Sequence, residues 1–402
     1  MWMDTKAETE DKSMGFVHRL LLWMGDMLWL DKLVQDWWWG LQLLIWGLRG
    51  VTRVILANNP LSGLLILAAL LWASPWQALL GIVGVLCSTL TAIITGQDRS
   101  EVCGGLHGYN GMLVSLLMGV FSSSRDWYWP LLLPVCLGSV TCVLLFSSLS
   151  SLLDRWDLPV AVFPFNMTIL LFLLCTGPQH PYFPRHWSVP PGARDMNATQ
   201  LNVLQVLRGI PLGVGQIYAC SALGPSLLIL GAVLLYSPIL AVHALLGSAI
   251  GTLAGLSMAV SQSCLYSGLS GFNGALGCMA VGGLFFTFSW RTHLFAISSA
   301  FFSAYMDIAL SNLLGTVCIS CHTQHFDDVV IVNGEMEMEM VGLPACSWAA
   351  TIVATLMMLM TGTLKAYRIP IGHVQSPEQN LRSCNQWEAG SPTDRDREST
   401  DV

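Results

Sequence analysis

Charge is what this chain has least of. Asp, Glu, Lys and Arg make up 11% of its 402 residues, against roughly 25% in a soluble protein. So few charges cannot coat a soluble globule of this length. The apolar segments carry no arginine ladder for sensing voltage and no chain of carboxylates for relaying protons. No basic run points to nucleic acid. The first 18 residues are polar and of mixed charge, without the apolar core of a signal peptide. The 12 cysteines are scattered, mostly in apolar text, and read as small buried hydrophobes rather than a disulfide framework. The net charge of −7 sits largely in the polar tails and one late insert.

What is abundant is apolar length. Hydrophobic residues make up 53% of the chain, with 16 Trp. Runs at 61–95, 131–153, 212–259 and 347–362 include stretches near the roughly 20 residues a helix needs to cross a bilayer. The chain is expected to be an all-α polytopic membrane protein. Residues 1–39 read as a cytoplasmic or interfacial segment, with Trp at interfacial depth. Residues 366–402 read as a disordered cytoplasmic tail, polar and rich in Pro, Ser, Asp and Arg.

The text also repeats. "GYNG" at 108–111 returns as "GFNG" at 271–274, 163 positions later (271 against 108). At the same offset "LLIL" at 64–67 meets "LLIL" at 227–230, Ser74-Pro75 meets Ser237-Pro238, and Trp127 meets Trp290. Leu158-Pro159 and Leu343-Pro344 are offset by 185, and the difference, 185 − 163 = 22, marks an insert within about 318–340. The repeats are assigned to 40–176 and 208–365, joined by an extracellular loop at 177–207. About five membrane helices per half, an odd number, predict two inverted repeats whose broken half-helices surround a central pore. The paired "GYNG" and "GFNG" read as turns facing one another near the midplane. Irregular backbone at that depth belongs where it lines a cavity.

The pore should carry a small neutral solute passively, with apolar walls and a few oxygens replacing hydration. Asp307 is a candidate intramembrane acid, read first as a packing carboxylate. "CISCH" at 318–322 has the spacing of a haem or zinc motif, but no second ligand set accompanies it, so no metal or cofactor is expected. Asn197 opens a glycosylation sequon in the polar loop.

Several stretches resemble the urea transporter family: "LANNPLSGLLIL" at 56–67, "STLTAIITGQDRSEVCGGLHGYNGMLVSLLMGVF" at 88–121, "LPVAVFPFNM" at 158–167, "IPLGVGQIYAC" at 210–220 and "SAYMDIALSNLLG" at 303–315. The resemblance covers most of 40–365. It implies a facilitative urea channel of the plasma membrane with a separate pore in each subunit of a homotrimer, needing no cofactor. It also implies pore positions. The aliphatic slot residue falls on Leu113, with Leu276 as its counterpart. Leu269 stands where some members are aromatic, and Leu56 replaces an expected aromatic. The polar residue near one end of the slot matches Gln216, whereas its repeat partner is Arg53 where Gln is expected. "LPxxTxPF" appears as "LPVAVFPF", so Val162 replaces the midpoint threonine, while Ser347 keeps a hydroxyl in the other half. The second "NPxxG" is missing, since 58–63 aligns with 221–226. These departures leave two alternatives open: a pore altered for water, ammonia or a urea analogue, and a non-conducting trimeric scaffold.

Overall fold

A Ser–Pro pair starts one long helix in each half. Ser74 Oγ accepts the Gln77 N–H (3.3 Å) and Ser237 Oγ accepts the Leu240 N–H (3.0 Å). Each thus satisfies an N–H that the first turn leaves without a partner, and the following proline needs none. The computed structural model describes residues 23–34, 36–122, 127–176, 180–184, 200–323, 343–360 and 368–382. Asn197, residues 324–340 of the insert, and the "CISCH" side chains lie outside what is described; the backbone of 318–323 continues a helix.

The first half runs α1 (Leu28–Val34), α2 (Trp39–Arg53), α3 (Pro60–Ala73), α4 (Pro75–Ile94), α5 (Arg99–Cys103), α6 (Gly108–Phe121), α7 (Leu132–Leu153) and α8 (Phe163–Cys175). The second half repeats that order from α2 on: α9 (Val203–Gln216), α10 (Leu223–Tyr236), α11 (Pro238–Ser257), α12 (Gln262–Ser267), α13 (Phe272–Met279), α14 (Trp290–Thr323) and α15 (Trp348–Leu359). Among the described residues there is no β-strand, only an isolated bridge between Phe286 and Arg368. The helices containing α4, α7, α11 and α14 are long and apolar enough to span a bilayer. Each half adds three apolar helices of 10–17 residues. At 1.5 Å per residue these are too short to cross about 30 Å of hydrocarbon upright. The chain is an all-α polytopic membrane protein.

"GYNG" is not a turn. It is the first turn of α6, and "GFNG" spans the start of α13. The glycines serve close packing. A Cβ on Gly111 would strike Ser88 Oγ of α4, and one on Gly274 would strike Gly247 O of α11. Small residues let helices approach at backbone distance where lipid supplies no hydrophobic drive. True left-handed glycines sit just upstream, at Gly105 (φ +71°) and its equivalent Gly268 (φ +81°). There a side chain would collide with the backbone N of Gly50 and Gly213 respectively.

The halves meet along α3 and α10. Ser62 Oγ donates to Ala232 O (2.7 Å), and Tyr218 OH donates to Val51 O (2.7 Å). A single apolar core crosses this seam, with Ile66, Ala69 and Leu70 packed alongside Ile229, Ala232 and Val233.

Composition reads 366–402 as disordered, yet residues 368–382 dock on the body as a strap. Ile371 N–H donates to Asp157 Oδ1 (3.1 Å), and Arg368 pairs with the Asp157 carboxylate (3.1 Å). The Ser376 N–H donates to Asp26 Oδ2 (3.2 Å), and Glu378 accepts from the Ser237 hydroxyl (2.8 Å) and the Ile239 N–H (3.1 Å). Asn380 Nδ2 donates to the carbonyls of Gly283 and Leu284, both at 3.2 Å. Those carbonyls lie where α13 runs into a π-helical break at Ala280–Leu284. The break exposes backbone acceptors, and the strap supplies donors for them.

Candidate functional site

The helices enclose a cavity of about 960 Å³, at the upper end of the range for small-molecule sites. All eight residues singled out from the sequence stand on its wall: Arg53, Leu56, Leu113 and Val162 from the first half, and Gln216, Leu269, Leu276 and Ser347 from the second. Leu113 and Ser347 are each 7% exposed, whereas Leu269 is 44% exposed.

The backbone breaks twice in each half at matching places. Leu56 (φ +60°) follows α2 as Ala219 (φ +55°) follows α9. Ala161 (φ +48°) precedes α8 as Cys346 (φ +47°) precedes α15. Such conformations cost non-glycine residues about 1–3 kcal/mol each and persist only where their surroundings hold them. All four line the cavity.

The repeated asparagines hold the second pair of breaks. Asn110 Nδ2 donates to Ala161 O (3.3 Å), and its Oδ1 accepts the Phe165 N–H (3.1 Å). Asn273 Nδ2 donates to Cys346 O (2.9 Å), and its Oδ1 accepts the Ala350 N–H (3.3 Å). Each amide clamps the chain just before the last apolar helix of its own half. Tyr109 OH also donates to Ala161 O (2.5 Å). Phe272 has no hydroxyl to repeat that bond. Asp307 stands on that side instead, only 8% exposed, on the cavity wall and hydrogen-bonded to Asn273. The duplication of "GYNG" was visible in the sequence, but this clamping was not, because the clamped carbonyls lie about 50–70 residues away.

Arg53 and Gln216 occupy equivalent positions and make equivalent bonds. Arg53 Nε donates to Gly104 O (2.9 Å), and Gln216 Nε2 donates to Ser267 O (2.8 Å). What each has left differs. Gln216 keeps a carbonyl oxygen that accepts, whereas a guanidinium has only donors. At Val162 and Ser347, also on the cavity wall, the halves differ again. Ser347 Oγ donates to Asn166 Oδ1 across the seam (3.3 Å), leaving lone pairs to accept. Val162 offers no hydroxyl. The carbonyls of Ala161 and Val162 are already bonded to Asn110 and Asn166.

Carboxyls also reach the wall. Asp98, Glu101, Asp154 and Asp307 line the cavity, and Arg53 is its one basic residue among those described. Bonds from the Ser100 N–H and hydroxyl, both 3.0 Å, hold the Asp98 carboxyl below its usual range. Among the described residues no cluster of three or more His, Cys, Asp and Glu could hold a metal.

The urea transporter family model matches residues 44–362, which span most of both halves and include all eight of those cavity-wall residues. The chain belongs to the urea transporter family. It is 38% identical to urea transporter 1 of Capra hircus over 371 residues, 92% of this chain and 89% of that relative. It is 40% identical to urea transporter 1 of Rattus norvegicus over 358 residues, 89% of this chain and 87% of that relative. Both alignments are long enough to include the two halves of the urea transporter fold and their junction.

Proposed function

We propose that the protein is a facilitative channel passing urea down its gradient across the membrane. Urea is planar and neutral, and it loses hydration on entering an apolar slot. Leu113 and Leu276 offer flat aliphatic walls to its faces. Gln216 Oε1 and Ser347 Oγ accept its N–H groups, whereas the Arg53 guanidinium brings only donors to a solute already rich in them. Each bond returns about 0.5–1.5 kcal/mol, enough to offset dehydration without trapping the solute. No bond is made or broken, so no catalyst or cofactor is required.

The two halves are inverted in this proposal. The strap supports it. Its two ends meet the same short segment, at Gly283–Phe286, so its contacts lie near one face. Those contacts include Asp157, past the C-terminus of α7, and Ser237, at the N-terminus of α11. Helices α4 and α7 flank the intervening α6 and run parallel to one another. The C-terminus of α4 and the N-terminus of its repeat equivalent α11 therefore share a face. The family resemblance further supports a homotrimer in the plasma membrane with cytoplasmic ends and a glycan at Asn197.

The observation that carries the proposal is the meeting of all eight family pore positions on one cavity wall in a chain of this family. The test is stopped-flow urea efflux from proteoliposomes. Flux well above empty vesicles is expected. Flux equal to that of empty vesicles would favour a non-conducting scaffold.

A further inference from the structure

Shape cannot separate urea from guanidinium. Both are planar and Y-shaped, with N–H donors around the rim. A slot that grips the flat faces of one fits the other, so charge must discriminate between them. The cavity wall makes this acute, because its carboxyls, Asp98, Glu101, Asp154 and Asp307, outnumber its single base. Asp98 caps the N-terminus of α5 and Glu101 lies within it, just before Gly104, the residue that anchors Arg53. A mouth lined by acids concentrates small cations in front of the slot.

Arg53 is placed to oppose that. It is partly buried and fixed through Nε to Gly104 O. No carboxylate lies within ion-pair distance of it among the described residues, where the ion pairs are Arg49–Asp31, His107–Glu101 and Arg368–Asp157. Its charge is therefore not cancelled by a contact partner. Its repeat equivalent Gln216 makes the same backbone bond with a neutral group, so the charge is not needed for the bond.

We propose that Arg53 is a specificity determinant that bars guanidinium-type cations from a slot shaped for urea. The inference rests on the urea-channel reading and adds the class of solute the channel refuses. A fixed charge in a narrow, poorly hydrated passage acts on a like-charged solute over several ångströms, and removing it is expected to matter by about tenfold or more.

The experiment compares urea efflux with uptake of radiolabelled guanidinium in proteoliposomes carrying the wild type, Arg53→Gln, Arg53→Met or Arg53→Lys. The wild type is expected to pass urea while guanidinium stays at the level of empty vesicles. Arg53→Gln and Arg53→Met should raise the guanidinium-to-urea ratio by about tenfold, and Arg53→Lys should keep it low. Arg53→Met retains a long stem and covers the case in which Arg53→Gln fails to fold. The inference is overturned if wild-type protein already passes guanidinium. It is equally overturned if a neutral variant that still passes urea excludes guanidinium as the wild type does. Loss of urea flux from wild-type vesicles overturns the channel reading itself and this inference with it.

Discussion

Arg53 and Gln216 hold the carbonyls of Gly104 and Ser267 through the same bond, at 2.9 and 2.8 Å, from equivalent positions in the two halves. The two positions on the cavity wall are thus built alike and finished differently, one with donors and one with an acceptor. Arg53→Gln makes both positions accept urea N–H groups, and Val162→Thr restores a hydroxyl opposite Ser347. At about 0.5–1.5 kcal/mol per bond, each change should speed urea efflux roughly two- to tenfold. Efflux from vesicles matched for protein density checks this. Slower flux in both variants would mean that Arg53 aids passage by binding the carbonyl oxygen.

The asparagine clamps should differ in cost. Asn273→Ala leaves Cys346 O, the Ala350 N–H and the Asp307 carboxyl without their partner. Asn110→Ala leaves Ala161 O still bonded to Tyr109. A buried group stripped of its partner costs about 1–3 kcal/mol, so Asn273→Ala should unfold at the lower temperature in nanodiscs and lose more flux. Equal unfolding temperatures would contradict the account.

The strap should come away in parts. The Arg368–Asp157 pair is half exposed on the acid side, and such pairs contribute under about 1 kcal/mol. Asn380 is 6% exposed and satisfies two buried carbonyls. Asp157→Ala should therefore speed amide exchange only around 368–372, whereas Asn380→Ala should speed it throughout 368–382. Mass-spectrometric hydrogen exchange distinguishes the two patterns.

Inversion predicts sidedness. Thr95 and Met258 are repeat equivalents, each just past a long helix and exposed. Cysteines placed there should react with an impermeant thiol reagent from opposite faces of sealed vesicles. Labelling of both from one face would exclude the inverted arrangement.

Composition made the membrane class legible, and the constant offset from Ser74 to Trp127 made the repeated helix order legible. That Val162 and Leu113 would reach the cavity wall was legible because "LPVAVFPF" contains the one and "GYNG" lies just before the other. Their partners were not. Arg53 is tied to a carbonyl 51 residues away, and no side-chain type announces a backbone acceptor. The first part of the tail was misread for a related reason. Its polar text resembles disorder, yet it docks through polar partners spread along the chain, among them the carbonyls that a helical break at Ala280–Leu284 leaves for Asn380 to satisfy. Low apolar content predicts disorder when the partner is water, not when it is unsatisfied backbone.

The strap also bears on the order in which the channel can be finished during synthesis. Ile371, Gly372 and Val374 form part of the cavity wall, and they leave the ribosome after every other residue on it. Both halves can be inserted and paired before those three residues exist. The conduit is therefore completed only after its membrane helices are in place, so a chain cut short near residue 366 leaves a helical body whose passage lacks part of its lining.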